Sequence, residues 1–256
     1  MRQRKKSSVN IPILFEDDTL TVINKPPGIV VNRAESVKVE TVQEWMEKKL
    51  SAVNCQPSDQ NSDFCDRAGI VHRIDKETSG CLLIAKTPEA FIELQRQFKE
   101  RIVKKTYLAI AHGAVTPERG EIRAPVGRLP WNREHFGIVP GGKEAVTRYT
   151  VRSSFPAPHH SGNPKDLRSA LLSLVELYPE TGRTHQIRVH LKYINHAIVG
   201  DYLYAGRKTA RDDRRWAPRV MLHAWKMSFS HPNSGETLAI EAPIPDDMNT
   251  IIHGAP

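Results

Sequence analysis

No stretch of about 18 consecutive apolar residues occurs in this chain, so no membrane-spanning helix is expected. The basic start, Met1-Arg-Gln-Arg-Lys-Lys6, runs into an apolar stretch that Glu16, Asp17 and Asp18 cut short, which is not an export pattern. Cysteine is scarce: Cys55, Cys65 and Cys81 are the only three, and none lies in a Cys-x-x-Cys pair. They cannot form a complete disulfide set, so reduced thiols in a cytoplasmic protein are expected, with Cys81 in the core and the other two at the surface. No Gly-x-x-x-x-Gly-Lys-Ser/Thr loop is present to cradle a nucleotide triphosphate; Gly141-Gly142-Lys143 reads as a hairpin turn. There is no His-Glu-x-x-His, and the eleven histidines are scattered among Arg and Lys. His185 and His190 are five apart, which displaces them around a helix axis, so no metal site is expected.

What is present is an ordinary globular composition, 39% hydrophobic and 26% charged over 256 residues, enough chain for a buried core. The net charge is +8, which raises the local concentration of polyanions without identifying one. The cations cluster. Arg2, Arg4, Lys5 and Lys6 form one knot, and Arg207, Lys208, Arg211, Arg214, Arg215 and Arg219 form another. The second is expected to contact RNA phosphates if the partner is RNA.

Strand patterns outnumber helical ones. Ile11–Phe15 and Leu20–Asn24 flank a Glu-Asp-Asp-Thr turn and read as a hairpin. Residues 69–74, 81–86, 105–112, 144–152, 168–178, 220–230 and 236–241 read as strands. Thr41–Leu50 and Pro88–Glu100 have helical spacing, the latter with Phe91, Leu94 and Phe98 on one face. Thr184–Ile194 reads as a helix capped by Thr184, with Arg188 and Lys192 on a solvated basic face. A short helix closes the chain. Residues 53–66, 154–167 and 205–219 read as loop insertions. Without regular alternation of strand and helix, the expected class is α+β with a largely antiparallel sheet.

The most unusual segment is Gly69-Ile-Val-His-Arg-Ile-Asp-Lys-Glu-Thr-Ser-Gly80. On an extended backbone Arg73 and Asp75 project to one side and Ile74 to the other, toward the core. That arrangement suits a catalytic edge, and equally an ion-paired turn in which Thr78 and Ser79 satisfy backbone groups. A second cluster, Glu180-Thr-Gly-Arg-Thr-His-Gln-Ile-Arg188, places Arg183 and Thr184 before a helix, where anions are favoured.

His72-Arg-Ile-Asp-Lys-Glu-Thr-Ser-Gly80 resembles the active-site motif of the RluA-type RNA pseudouridine synthases. Phe15–Gly28, Lys104–Ile110, Gly182–Arg188 with Gly200–Gly206, and Leu222–Ala224 with His231-Pro232 resemble further segments of that family in the same order. The resemblance covers about residues 11–248. It implies a mixed, mostly antiparallel sheet with flanking helices and a central RNA-binding cleft. It divides the chain into a basic tail, 1–10, and a catalytic domain, 11–256, without the S4-type RNA-binding domain that many relatives carry. It makes Asp75 the catalytic aspartate and Arg73 the arginine that enters the space left by the flipped nucleotide. Tyr107 becomes the tyrosine that stacks on the uracil, and Arg183 the basic partner of the aspartate.

The implied activity is isomerisation of uridine in rRNA or tRNA, by a monomer that needs no metal or nucleotide cofactor. The product keeps every atom of the substrate. The target base lies in a folded RNA and must be extruded first, and a planar cation and an aromatic face lower that cost. Asp75 could attack C1′ or the pyrimidine ring, or deprotonate C2′; a role at the sugar is the expectation. A glycoside hydrolase would need two carboxylates flanking the bond; the motif offers Asp75 and Glu77, but no substrate-binding aromatic cluster accompanies Glu77 in a chain with 7% aromatics. The other alternative is a non-catalytic RNA-binding module that retains the fold.

Overall fold

The Glu16–Thr19 turn shows why the chain begins as a hairpin. Asp17 Oδ1 accepts hydrogen bonds from the backbone N–H of Thr19 (2.7 Å) and Leu20 (2.9 Å) and from the Thr19 hydroxyl (2.8 Å). An aspartate that bonds its own backbone two residues on is what makes this residue a turn former. The structure, a computed structural model, describes residues 10–34, 37–50, 62–158 and 171–254.

In chain order the first elements are β1 (Ile13–Glu16), β2 (Leu20–Lys25), α1 (Val42–Leu50), α2 (Ser62–Asp66), β3 (Ser79–Ala85) and α3 (Pro88–Lys99). There follow β4 (Lys104–His112), β5 (Arg119–Arg123), β6 (Val126–Leu129), β7 (Asn132–Ile138), β8 (Val146–Pro156) and β9 (Leu171–Pro179). The last are α4 (Gln186–Tyr193), α5 (Arg207–Asp213), β10 (Leu222–Ser230), β11 (Thr237–Glu241) and α6 (Asp246–His253). The class is α+β. The pairings β1–β2, β2–β3, β10–β11, β4–β9, β8–β9, β5–β8 and β6–β7 are all antiparallel. Two compact units divide the chain: Met1–Lys104 with Lys226–Ala242, and Lys105–Trp225 with Pro243–Pro256.

In the first unit β2 pairs with β3 from Leu20↔Ala85 to Lys25↔Gly80, and every residue of β3 is buried. A strand covered on both faces reads as a continuous apolar run rather than an alternation. Cys81 is a fully buried thiol in that run, as expected, and burial pushes its pKa up to about 12. Cys65, expected as a reduced surface thiol, is instead disulfide-bonded; Cys55 lies outside the described residues. Helix α3 starts where Thr87 Oγ1 accepts from Ala90 N (3.2 Å), with Pro88 in the first turn, whose missing N–H costs nothing there. Phe91 and Leu94 are buried as the spacing requires. Ala90 is buried beside them, and the polar Gln97, not Phe98, continues the face. Its amide donates to Ser230 O (2.8 Å) and accepts from Ser230 N (3.0 Å), imitating a strand neighbour at the end of β10.

Asp17 also meets His231 Nε2 through Oδ2 at 2.8 Å. Partial burial works against the charge, yet the N–H groups of Leu20 and Thr19, the Thr19 hydroxyl and His231 together bring its pKa down to about 2. A carboxylate with a depressed folded pKa contributes stability above its unfolded value, 3.8, and loses it as pH falls toward 2. Asp17→Asn is therefore expected to flatten the stability profile between about pH 4 and pH 2, read by denaturant midpoints across that range.

In the second unit β9 is flanked by β4 and β8, with a bulge in β8 at Val151–Ser153. Its core gathers Leu108, Ile110, Leu172, Val175, Leu177, Ile187, Leu191 and Met221 among others. β6 and β7 form a separate small hairpin, which carries Trp131, 79% exposed, between its strands. Strand β8 begins at Val146 and extends to Pro156, into the stretch read as an insertion. The rest of that expected insertion from residue 159, and most of 53–66, lie outside the described residues. Among the described residues no helix is long and apolar enough to cross a membrane.

Candidate active site

The segment that carries Arg73 and Asp75 is anchored at both ends. Gly69 (φ +73°) passes so close to β3 that a Cβ there would lie 2.0 Å from Ala85 O. Only glycine fits that approach with that dihedral. Its own carbonyl accepts from Ala85 N (2.9 Å), and Ile70 bridges Ile84. Beyond Ile70 the expected strand does not continue. Leu83 N donates to His72 Nε2 (2.9 Å), so an imidazole occupies the position a carbonyl would hold in a ladder. The His72 ring stacks on Phe98 at 4.6 Å. Residues 71–75 belong to no strand or helix, with Arg73 exposed, Ile74 buried (6%) and Asp75 partly exposed.

Asp75 opens a tight turn in which Thr78 N donates to Asp75 O (3.2 Å). The turn is held from beneath by Lys25, whose side chain is fully buried. Its ammonium donates to three backbone carbonyls: Pro26 (2.8 Å), Ile29 (3.0 Å) and Lys76 (3.1 Å). Lys76 O also accepts from Gly28 N (2.8 Å). An ammonium has three protons, and here each has an oxygen, which is the condition for tolerating a buried charge. Lys25 thus fastens the Pro26–Ile29 loop to the residue that follows Asp75. The Thr78 hydroxyl is buried without a hydrogen-bond partner among the described residues, a cost of about 1–3 kcal/mol. Sequence reasoning did not single out Lys25, because a lysine before Pro-Pro-Gly reads as solvated.

Replacing Lys25 with methionine keeps the length and removes all three donors. We expect about 2–4 kcal/mol lower stability from the stranded carbonyls, measurable by urea unfolding.

Tyr107 and Arg183 belong to the second unit. Tyr107 lies on β4 opposite Leu177, its ring against the core. Lys105, two residues earlier, brings its Nζ to 3.8 Å from where a Cβ on Gly182 would stand, so the start of β4 sits beside the turn that holds Arg183. Burial lowers the Lys105 pKa. Arg183 Nε donates to Glu144 O (3.1 Å) and its backbone N–H to Gln186 Oε1 (3.0 Å).

Helix α4 begins at Gln186, two residues later than the spacing suggested, and Thr184 does not cap it. Gln186 has taken over the local polar work. Its Oε1 also accepts from Thr181 Oγ1 (2.7 Å), and its Nε2 donates to Val146 O and Thr147 Oγ1 (both 3.0 Å). The residue before the helix, His185, sits in the left-handed region (φ 56°). Its Nδ1 lies 2.9 Å from the Tyr204 hydroxyl. His190 is buried between Thr147 Oγ1 (2.9 Å) and Ala124 O (3.0 Å), and burial lowers its pKa. A neutral ring that donates from Nε2 and accepts at Nδ1 satisfies both neighbours.

The expected solvated face of α4 is half wrong. Lys192 is exposed, but Arg188 is buried and grips Asp201 with two parallel hydrogen bonds, Nε–Oδ2 2.7 Å and Nη2–Oδ1 2.9 Å. Of the expected site residues, Arg73 with Asp75 share one segment of the first unit, and Tyr107 with Arg183 lie in the second. Among the described residues no group of three or more His, Cys, Asp or Glu side chains is placed to hold a metal ion.

The family model described as RNA pseudouridylate synthase matches residues 19–193, a span that includes Lys25, Arg73, Asp75, Tyr107 and Arg183. A ribosomal large subunit pseudouridine synthase D from Nitrosomonas europaea is 40% identical over 98% of this chain and 67% of its own length. The protein of the same description from Neisseria meningitidis serogroup A is 40% identical over 93% of this chain, which spans 59% of it. Among solved structures, human RNA Pseudouridylate Synthase Domain Containing 1 superposes with a TM-score of 0.68 at 27% identity, covering 94% of this chain and 86% of its own.

Proposed function

We propose that this chain, which belongs to the RNA pseudouridylate synthase family, isomerises uridine to pseudouridine in large-subunit ribosomal RNA, with Asp75 as the reacting carboxylate. The observation that carries the reading is the construction of the Asp75 segment. A carboxylate stands partly exposed between buried Ile74 and a turn whose next carbonyl is bonded by a buried ammonium. A backbone held this way fixes where the Asp75 side chain departs without help from substrate, which is the preorganised support a reacting side chain needs.

The reaction breaks the C1′–N1 bond, turns the freed uracil and joins C1′ to C5. Uracil must leave its stack before any of this. Exposed Arg73, two residues before Asp75, is the planar cation offered for the vacated space. Tyr107 is the aromatic face for the base, and Arg183 the positive partner of the carboxylate. Asp75 is assigned a role at the sugar, where charge develops as the glycosidic bond opens. Carbon, nitrogen, oxygen and hydrogen balance between substrate and product, so the stoichiometry requires no second substrate. The choice of ribosomal RNA follows the two relatives, both ribosomal large subunit pseudouridine synthases, and with it a cytoplasmic place of action. One chain supplies all four side chains, so a monomer suffices.

The test is direct: incubate the purified chain with transcribed large-subunit ribosomal RNA and map pseudouridine. New pseudouridine at a defined uridine is expected. RNA that is bound but left unmodified would favour the non-catalytic binding module instead.

A further inference from the structure

Helix α5 occupies a stretch whose charges read as a loop, and its cations divide into two sets. One set is structural. Asp213, 3% exposed, accepts from Gly200 N at Oδ2 (2.9 Å) and meets His112 Nε2 there (2.9 Å). Arg214 donates to the carbonyls of Gly200 (3.0 Å) and Pro218 (2.7 Å). Arg219, 5% exposed, holds Asp247 through Nε (2.6 Å) and Nη2 (2.9 Å). These two arginines, expected at an RNA surface, are committed to the fold.

The other set faces solvent. Arg207, Lys208 and Arg211 are exposed, and none has a carboxylate partner among the described residues. Arg207 and Arg211 are four apart and share a face. Arg215 is exposed too, but Asp212 stands 3.8 Å from it. Elsewhere much of the surface charge is matched: Arg96 by Glu93 and Glu100, Arg123 and Arg148 by Glu121, Lys226 by Glu241. Three unmatched cations on a seven-residue helix repel one another, which a partner of opposite charge would relieve.

The turn leading into α5 carries an aromatic. Tyr202 is 60% exposed. Its backbone is stiff, because Asp201 Oδ1 accepts from Leu203 N (3.1 Å) and Tyr204 N (3.2 Å) while Arg188 grips the same carboxylate. The Tyr204 hydroxyl in turn binds His185, two residues from Arg183.

We infer that this turn and α5 form a second RNA-docking surface, which takes an unpaired strand of the substrate: Tyr202 stacks on a base, and Arg207, Lys208 and Arg211 contact phosphates. An exposed ring on a fixed backbone, followed by unmatched cations, is the combination that holds single strands, since only an unpaired base offers its face. The inference rests on RNA being the substrate and adds where, and in what state, the RNA is held.

The experiment measures binding of the intact protein to a single-stranded oligouridylate and to an RNA duplex of equal length, across a range of salt. In the Arg207→Ala/Lys208→Ala/Arg211→Ala variant the slope of log affinity against log salt for the single strand should shrink by about 2, at roughly 0.7 for each phosphate no longer neutralised. Tyr202→Ala should weaken oligouridylate binding roughly tenfold and Tyr202→Phe should restore it. An unchanged salt slope overturns the inference, as does an equal loss from Tyr202→Ala on duplex and single strand. Pseudouridine formation by the wild type is scored separately. If wild type modifies RNA and these shifts are missing, only the docking surface falls; if the shifts occur and no pseudouridine forms, only the assigned activity falls.

Discussion

Asp75→Asn is expected to lower pseudouridine formation by roughly three orders of magnitude or more while leaving the protein folded. Asparagine matches aspartate in size, yet a carboxamide is neither a competent nucleophile nor a base at neutral pH. The turn is closed by the backbone carbonyl of residue 75, which accepts from Thr78 and is kept in both the Asn and the Ala variant. Asp75→Ala should give the same loss. The rate of pseudouridine appearance in ribosomal RNA, with a thermal melt on each variant, separates catalysis from folding. Undiminished product from both well-folded variants would remove Asp75 from its assigned role.

Arg188→Met is expected to cost about 3–5 kcal/mol, the largest stability loss of any single substitution proposed for this chain. The side chains of Arg188 and Asp201 are 8% and 0% exposed, so removal of the guanidinium leaves a carboxylate in the interior. Two backbone N–H groups, of Leu203 and Tyr204, would remain to support it. The same guanidinium lies over the Tyr204 ring at 5.0 Å, and methionine cannot replace that cation–π attraction. Arg188→Met/Asp201→Asn should recover part of the loss, because the second change removes the stranded charge. Urea unfolding of the two variants checks both statements, and a double variant less stable than the single one would contradict the stranded-charge account.

These residues also show where sequence reading reaches its limit. Strands β2 and β3 and helix α3 were legible because burial imposes a pattern, a continuous apolar run or a 3.6-residue stripe. The hairpin of β6 and β7 left no such trace, since its strands carry glycine, arginine and asparagine and give only Val126, Phe136 and Ile138 to a small cluster with Ala145, Val189 and Tyr204. Helix α5 was missed for a related reason: Ala210 and Asp213 are its only buried residues, and a helix fixed by a buried aspartate has no apolar stripe to find. At the site, the dense polar run marked Arg73 and Asp75. What supports them was hidden, because Lys25 and Gln97 are polar residues satisfied by backbone atoms far along the chain. Burial of a charge is decided by tertiary partners, and local sequence does not name them.

The bonds from Gln97 to Ser230 and from Asp17 to His231 span 133 and 214 positions. During translation, the segment that carries Asp75 therefore leaves the ribosome long before the hairpin of β10 and β11 that completes its unit. At roughly 5–20 residues per second the nascent chain waits many seconds for it. The second unit fares no better: β4, β8 and β9 pair within Lys105–Trp225, but Pro243–Pro256, which brings Met248 and Ile251 to its core, is made last. Interrupted synthesis would thus release a chain in which neither unit has its closing elements. For this architecture, premature termination and loss of function amount to the same event.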